Sequence, residues 1–275
     1  MPLYEAKMLQ AFDHRAAGIV IEDGNWLRKA QKAETSLVEH QNPEFVVLPR
    51  WWVSESDTMS KLPNACPASL LAFKNVSSPT NSRTMIAGFI PISAVGHSAP
   101  LILPGANISA RITTCLLANL NSFAYDYVVR QKIGGVNLSF FILAQIPTLP
   151  PDTYADKCPW SKKETLEHWI SERVLKLSCT AEDMIPLAKA CDFKGSRGDG
   201  VHIWKEAERM QLRAELDAAY FHLYGIERDD VEYILSTFTN TGLVPKDERG
   251  TQQHLWQPGS TGELILEAYD KFGSK

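Results

Sequence analysis

Apolar positions recur with two different periods along the 275-residue chain, and the change of period organises it. In the first part, residues 45–48, 70–76 and 84–91 form short apolar runs bounded by Pro, Asn and Ser, and each run predicts a strand. A segment carrying Phe12-Asp13-His14-Arg15 precedes them and leads into a polar, charged stretch at 22–42. Over 108–132 the period becomes helical. Ile112, Leu116, Leu120, Phe123, Tyr127 and Ile133 predict one long central helix, stopped by Gly134-Gly135. Residues 138–146 then return to a dense β-type run that ends at Pro147. The pair Pro150-Pro151 divides the chain into regions 1–150 and 151–275. Beyond it the pattern is helical, with Leu166, Trp169, Ile170, Val174 and Leu177 on one face of a first helix and Leu212, Leu216, Ala219, Tyr220 and Leu223 on another. Two more helices are expected over 229–238 and 263–272, separated from each other by a long polar loop at 239–262. The expected class is α+β: a mixed, β-rich region with a central long helix, followed by a mainly helical C-terminal region.

Composition is that of a folded chain, 44% hydrophobic and 22% charged. The 27 residues between Arg83 and Arg111 carry no charge and exceed a bilayer's span, yet Pro91, Pro100 and Pro104 break them into short buried strands. No membrane association is expected. The net charge of −4 excludes a uniformly basic protein, but it is unevenly placed: region 1–150 carries 12 basic and 10 acidic residues, region 151–275 carries 16 and 22. Within 58–150, Lys61, Lys74, Arg83, Arg111, Arg130 and Lys132 face a single acid, Asp126. A surface poor in carboxylates and rich in Ser, Thr and Asn approaches phosphates without repulsion; an apolar β-rich core segment would also carry few charges.

Familiar catalytic patterns are missing. The chain has no HExxH, no phosphate loop and no GxSxG elbow. The five cysteines form no CxxC pair, and the start lacks a secretory signal, so a reduced, cytoplasmic setting is expected. His14, His97, His168 and His222 lack ligand spacing and read as structural or surface residues, and the glycine cluster from Gly195 to Gly200 reads as a turn. Asn42-Pro43-Glu44-Phe45 approximates the Asn-Pro-Pro-Phe signature of amino-methylating enzymes, but its apolar run follows the motif instead of preceding it. Trp51 and Trp52 are expected to serve core or interdomain packing.

Three stretches together carry a family resemblance: Asn75-Val76 with Thr80-Asn81-Ser82-Arg83-Thr84-Met85-Ile86-Ala87-Gly88-Phe89-Ile90-Pro91, Leu116-Leu117-Ala118-Asn119-Leu120-Asn121-Ser122-Phe123-Ala124-Tyr125-Asp126-Tyr127, and Gln131-Lys132-Ile133-Gly134-Gly135-Val136-Asn137-Leu138-Ser139-Phe140-Phe141. Their order resembles the target-recognition region of type IIG restriction-modification enzymes and related phage-defence, adenine-specific DNA methyltransferases. Flanking pieces extend it, including Pro2-Leu3-Tyr4-Glu5-Ala6-Lys7-Met8 and Ile265-Leu266-Glu267-Ala268-Tyr269-Asp270, so it spans nearly the whole chain.

The resemblance implies a module that reads double-stranded DNA for a methyltransferase catalytic domain absent from this chain, fused or separate. That domain is expected to hold S-adenosylmethionine; no cofactor and no catalytic residue is expected here. Base edges are read by forked donors and acceptors, and backbone phosphates are held by Lys, hydroxyls and amides. The polar turn with Asn81, Ser82 and Arg83 is expected to point outward, with Arg83 the leading contact. Lys74, Arg130, Lys132, Gly135 and Asn137 form a second group suited to phosphates. The acidic region 151–275 is expected to brace this face or dock on the catalytic domain. The alternative is a protein-interaction or scaffold module that keeps the fold without binding DNA.

Overall fold

The structure is a computed structural model that describes residues 1–20, 31–63, 67–244 and 255–274. Parts of the expected polar stretch at 22–42 and of the loop at 239–262 lie outside the described residues. In chain order the elements are β1 (Leu3–Tyr4), β2 (Ala17–Val20), β3 (Gln31–Glu34), α1 (Leu37–Gln41), α2 (Glu55–Met59), β4 (Leu70–Phe73), β5 (Ala87–Ile90), β6 (Ala94–Val95) and β7 (Leu101–Ile102). They continue with α3 (Ala110–Asn121), α4 (Phe123–Lys132), α5 (Phe140–Leu143), α6 (Leu166–Ser178), α7 (Ile185–Ala190), α8 (Glu206–Leu223), α9 (Arg228–Ser236), β8 (Leu243–Val244), β9 (Leu255–Trp256) and α10 (Thr261–Gly273). The class is α+β.

β4 is the centre of a three-stranded antiparallel sheet, paired with β5 in the register Leu71 to Phe89 and with β7 in the register Ala72 to Leu101. Every residue of β4 and β5 is buried, which is why both read as unbroken apolar runs without alternation. Gly88 is required in β5, because a Cβ there would come within 2.7 Å of Leu9 Cδ1 and 3.1 Å of the Gln10 carbonyl. Two smaller pairings flank this sheet, β1 with β6 in parallel and β2 with β3 antiparallel. α3 packs on α6 and α8 packs on α10, and one hydrophobic cluster runs from Phe12, Phe73 and Phe89 through Leu117 and Trp169 to Tyr220 and Phe272. It extends on both sides of Pro150-Pro151.

The helical readings over 166–177, 212–223, 229–238 and 263–272 correspond to α6, α8, α9 and α10. Four local expectations need correction. The central helix is two helices, broken at Ser122, whose N–H reaches the Asn119 carbonyl at 3.1 Å while its Oγ accepts from Tyr125 N–H at 3.2 Å. A hydroxyl that caps the second helix holds its own residue in extended conformation, and this stops the first. Residues 138–146 are not a strand: the bridge between Val76 and Asn137 ends just before them, they have no ladder partner among the described residues, and Ser139 caps the short helix α5 instead. Residues 45–48 lie extended without strand pairing, joined to β2 by Ile19 N–H donating to the Leu48 carbonyl at 2.9 Å. Trp51 and Trp52 are 51% and 66% exposed and are not part of the core.

The N-terminal segment is bound to the helical half by a buried polar network. Arg15, fully buried, donates from Nη1 to the carbonyls of Asn42 (2.8 Å) and Phe45 (3.0 Å), and from Nη2 to those of His40 (2.9 Å) and Thr180 (3.1 Å). Asp13 sits 3.1 Å from His40 Nε2, and Asp183 sits 2.9 Å from His14 Nε2. Arg209 donates to the Leu177 carbonyl at 2.6 Å and lies 3.4 Å from the Trp204 ring centre. Burial alone would raise the Asp13 carboxyl, but the hydrogen bond and charge of His40, with Arg209 and His14, hold it below the usual carboxylate range. Asp183 is lowered in the same way by His14 and Arg15 against its burial.

A folded-state value below the unfolded one stabilises the protein above the unfolded value of about 4, and the contribution is lost as pH falls through the folded value. Urea unfolding is therefore expected to show undiminished stability from these groups at pH 7 and a decline below about pH 4. Asp13→Asn should flatten that decline; a variant with the unaltered slope would remove Asp13 from the account.

Candidate nucleic-acid interface

Asp126, the single acid of 58–150, is fully buried in α4 beneath the turn at 77–84. Isolated, a buried carboxylate costs several kcal/mol, so its partners are obligatory. Oδ1 accepts from Met85 N–H at 3.0 Å and Thr84 N–H at 3.2 Å; Oδ2 accepts from Thr84 N–H at 3.0 Å and Arg83 Nε at 2.8 Å. Arg130, one turn further along α4, places Nε 3.9 Å from Oδ1. The carboxylate thus fixes the backbone where the polar turn enters β5.

Arg83 does not point outward. Its guanidinium turns into the protein, bonds the Asn121 carbonyl as well as Asp126, and lies 3.9 Å from the centre of the Phe123 ring. Arg130 is also committed: Nη2 donates to the carbonyls of Asn81 (2.5 Å) and Ser82 (2.9 Å), and its guanidinium stacks 3.7 Å over Phe238. Burial pulls its pKa down, against the charge of Asp126. With their carbonyls held, Asn81 and Ser82 stay exposed at the tip of the turn. Arg111 is spent on the helical half, donating to Ser171 Oγ at 2.7 Å and lying 3.4 Å from Glu172.

The second group is brought beside the first. Ser77 N–H donates to the Val136 carbonyl at 3.0 Å and Leu138 N–H to that of Asn75 at 2.7 Å, so the turn holding Gly135 and Asn137 lies against the start of the Asn81 turn. Gly135, Asn137 and Lys132 are exposed. Lys74, half-buried at the end of β4, has its pKa lowered to about 8, first by desolvation and then by the charge of Lys32. The eight residues singled out from the sequence therefore divide. Asn81, Ser82, Lys132, Gly135 and Asn137 form an exposed polar face, Lys74 is half-buried, and Arg83 and Arg130 hold the face in place from beneath.

Two acids central to this region were not anticipated. Asp126 could have been found from its isolation among cations, since a lone carboxylate in an apolar stretch is either exposed or held by partners. Asp217 had no such signal: it belongs to the acidic half, yet its Oδ1 accepts from Phe123 N–H at 2.7 Å, at the start of α4. Asn42 Oδ1 accepts from Glu44 N–H at 3.1 Å in the turn after α1. Among the described residues no helix is long and apolar enough to cross a membrane, and no group of His, Cys, Asp and Glu is arranged to hold a metal. Comparison with protein-family models, curated proteins and solved structures gives no match.

Asp126→Asn replaces one oxygen by a donor facing Arg83 and the Thr84 and Met85 amides. Breaking a buried pair in this way is expected to lower unfolding stability by about 3–5 kcal/mol, measured by urea titration. A loss below about 0.5 kcal/mol, typical of a surface change, would contradict this placement.

Proposed function

We propose that the chain is a DNA target-recognition module of an adenine-specific DNA methyltransferase, placing duplex DNA for a catalytic domain supplied by another segment or chain. The observation that carries the reading is the burial of Asp126. Every other ionisable group between 58 and 150 that bears formal charge is cationic, so this segment brings no exposed carboxylate of its own to the turns at 77–84 and 134–138, which favours approach to a phosphate backbone. Asn81 and Asn137 offer the paired donor and acceptor that suit adenine edges, and Lys132, with the amides of the Gly134-Gly135 turn, suits phosphates. The glycines at 195–200 lie in a turn between α7 and α8, not between a strand and a helix. They do not fit a methyl-donor loop, and S-adenosylmethionine belongs in this reading to the catalytic domain. Cys115, Cys158, Cys179 and Cys191 are free and buried, in keeping with a cytoplasmic, reducing setting.

A second reading, a protein-interaction module, draws on Val46, Leu48, Trp51 and Trp52, all at least half exposed. Fluorescence anisotropy with duplex DNA at increasing salt separates the two. The proposal expects affinity that falls steeply with salt, and Lys132→Ala should reduce the slope of log K against log salt by about 1 without changing the fold. A folded chain indifferent to duplex DNA at low salt would sink it. Incubated with labelled S-adenosylmethionine, the chain alone is expected to leave DNA unlabelled.

A further inference from the structure

Next to the Ser82 end of the DNA face a cavity of about 210 Å³ opens between α8, the turn at Phe12 and the start of α4. Three independent features set it apart. Asp217 lines it at 7% exposure, and its Oδ2 accepts no hydrogen bond from the described residues, since its one bond goes from Phe123 N–H to Oδ1. Among the described residues no cation pairs with it directly: Arg83 is engaged by Asp126, and Arg213, which also lines the cavity, lies 3.9 Å from Glu206. Phe12 lines the same space in a left-handed conformation (φ 61°) that bulky non-glycine residues avoid, next to Asn240 (φ 65°), a residue type that tolerates it. Such strain is stored where the surrounding structure demands it, commonly at ligand sites.

We propose that this cavity takes a guanine base, whose N1–H and exocyclic N2–H donate to Asp217 while Arg213 at the rim donates to O6. Size comes first: the cavity is smaller than the ~300 Å³ at which small-molecule pockets begin, so it accepts a single ring system, not a whole cofactor. Polarity then selects the base. A carboxylate only accepts, and guanine presents two adjacent donors on its pairing edge, whereas adenine and cytosine set a donor beside an acceptor. Phe12 and Phe123 supply apolar walls. The base has two possible sources, an unpaired guanine in DNA bound on the adjoining face or a free guanine nucleoside; only the first rests on the proposed DNA reading.

Protonation supplies a further readout. Burial lifts Asp217 to about 6, while the Arg83 charge, the Phe123 N–H and Arg213 oppose the rise and Asp126 adds to it. Guanine requires the ionised form, so its binding is present above about pH 6 and weakens below it.

The test is calorimetric titration of the full chain with guanosine and adenosine at pH 7.5, alongside anisotropy with duplexes carrying one unpaired guanine or one unpaired adenine. Guanosine is expected to bind roughly tenfold or more tighter than adenosine, a modest discrimination for a site that hydrogen-bonds its ligand. The preference should disappear in Asp217→Asn, which keeps the side-chain volume and the acceptor for Phe123 N–H, and should weaken at pH 5. A preference shared by the bulged duplexes assigns the base to DNA, and one confined to the nucleosides assigns it to a free ligand. Equal binding or no binding of both nucleosides by the unaltered chain, with no preference between the bulged duplexes, overturns the proposal. Salt-dependent binding of a fully paired duplex would in that case leave the DNA reading intact, whereas guanosine binding without duplex binding would leave the cavity and remove that reading.

Discussion

The buried carboxylate of Asp126 is the constraint on which this molecule's polar face depends. Without partners it would carry a penalty of several kcal/mol, and it is therefore surrounded by two backbone amides and two guanidinium groups. Those amides begin the approach to β5, so the sheet, the turn and α4 are fixed relative to one another by one side chain. Arg83 and Arg130 are spent internally as a result. What faces solvent is uncharged hydrogen-bonding chemistry with cations at its margins. Most of the positive charge beneath this surface is thus used to shape it and not displayed on it.

A second buried network ties the N-terminal segment to the helical half. Arg15 gathers carbonyls from α1, from the segment after it and from Thr180 next to α6, while Arg209 reaches back to Phe12 from α8. A buried guanidinium with four carbonyl acceptors, as at Arg15, specifies arrangement as much as stability, since an alternative packing would leave several carbonyls unpaired. The acidic half of the chain is in this sense part of the framework that holds the N-terminal turn against β5, and Gly88 records how close that approach is.

The sequence made the helices of the C-terminal half legible because their apolar faces repeat over three or more turns, as in Leu166, Trp169, Ile170, Val174 and Leu177. β4 and β5 were equally readable as short, wholly apolar runs. Reading failed where one side-chain hydrogen bond overrode the pattern: Ser122 divides a continuous helical period, and Ser139 turns a β-type run into a helical one. The residues of the polar face could be named from composition, but their roles could not. Whether Arg83 faces solvent or a carboxylate depends on residue 126, forty-three positions away, and no local pattern encodes that pairing. Asp217 was further out of reach, because its partner lies in the other half of the chain.

The shared cap at Ser122 has a consequence for how such a face can vary. One residue ends α3 and starts α4, leaving no slack between them. An insertion at this joint would displace α4 relative to α3, carrying Arg130 away from the Asn81 and Ser82 carbonyls. Exchanges at the exposed positions Asn81, Ser82, Gly135 and Asn137 alter the chemistry of the face while Arg83, Thr84 and Asp126 keep the frame in place. The length of the chain at the joint is thus fixed, and the exposed positions of the turns are free to diversify.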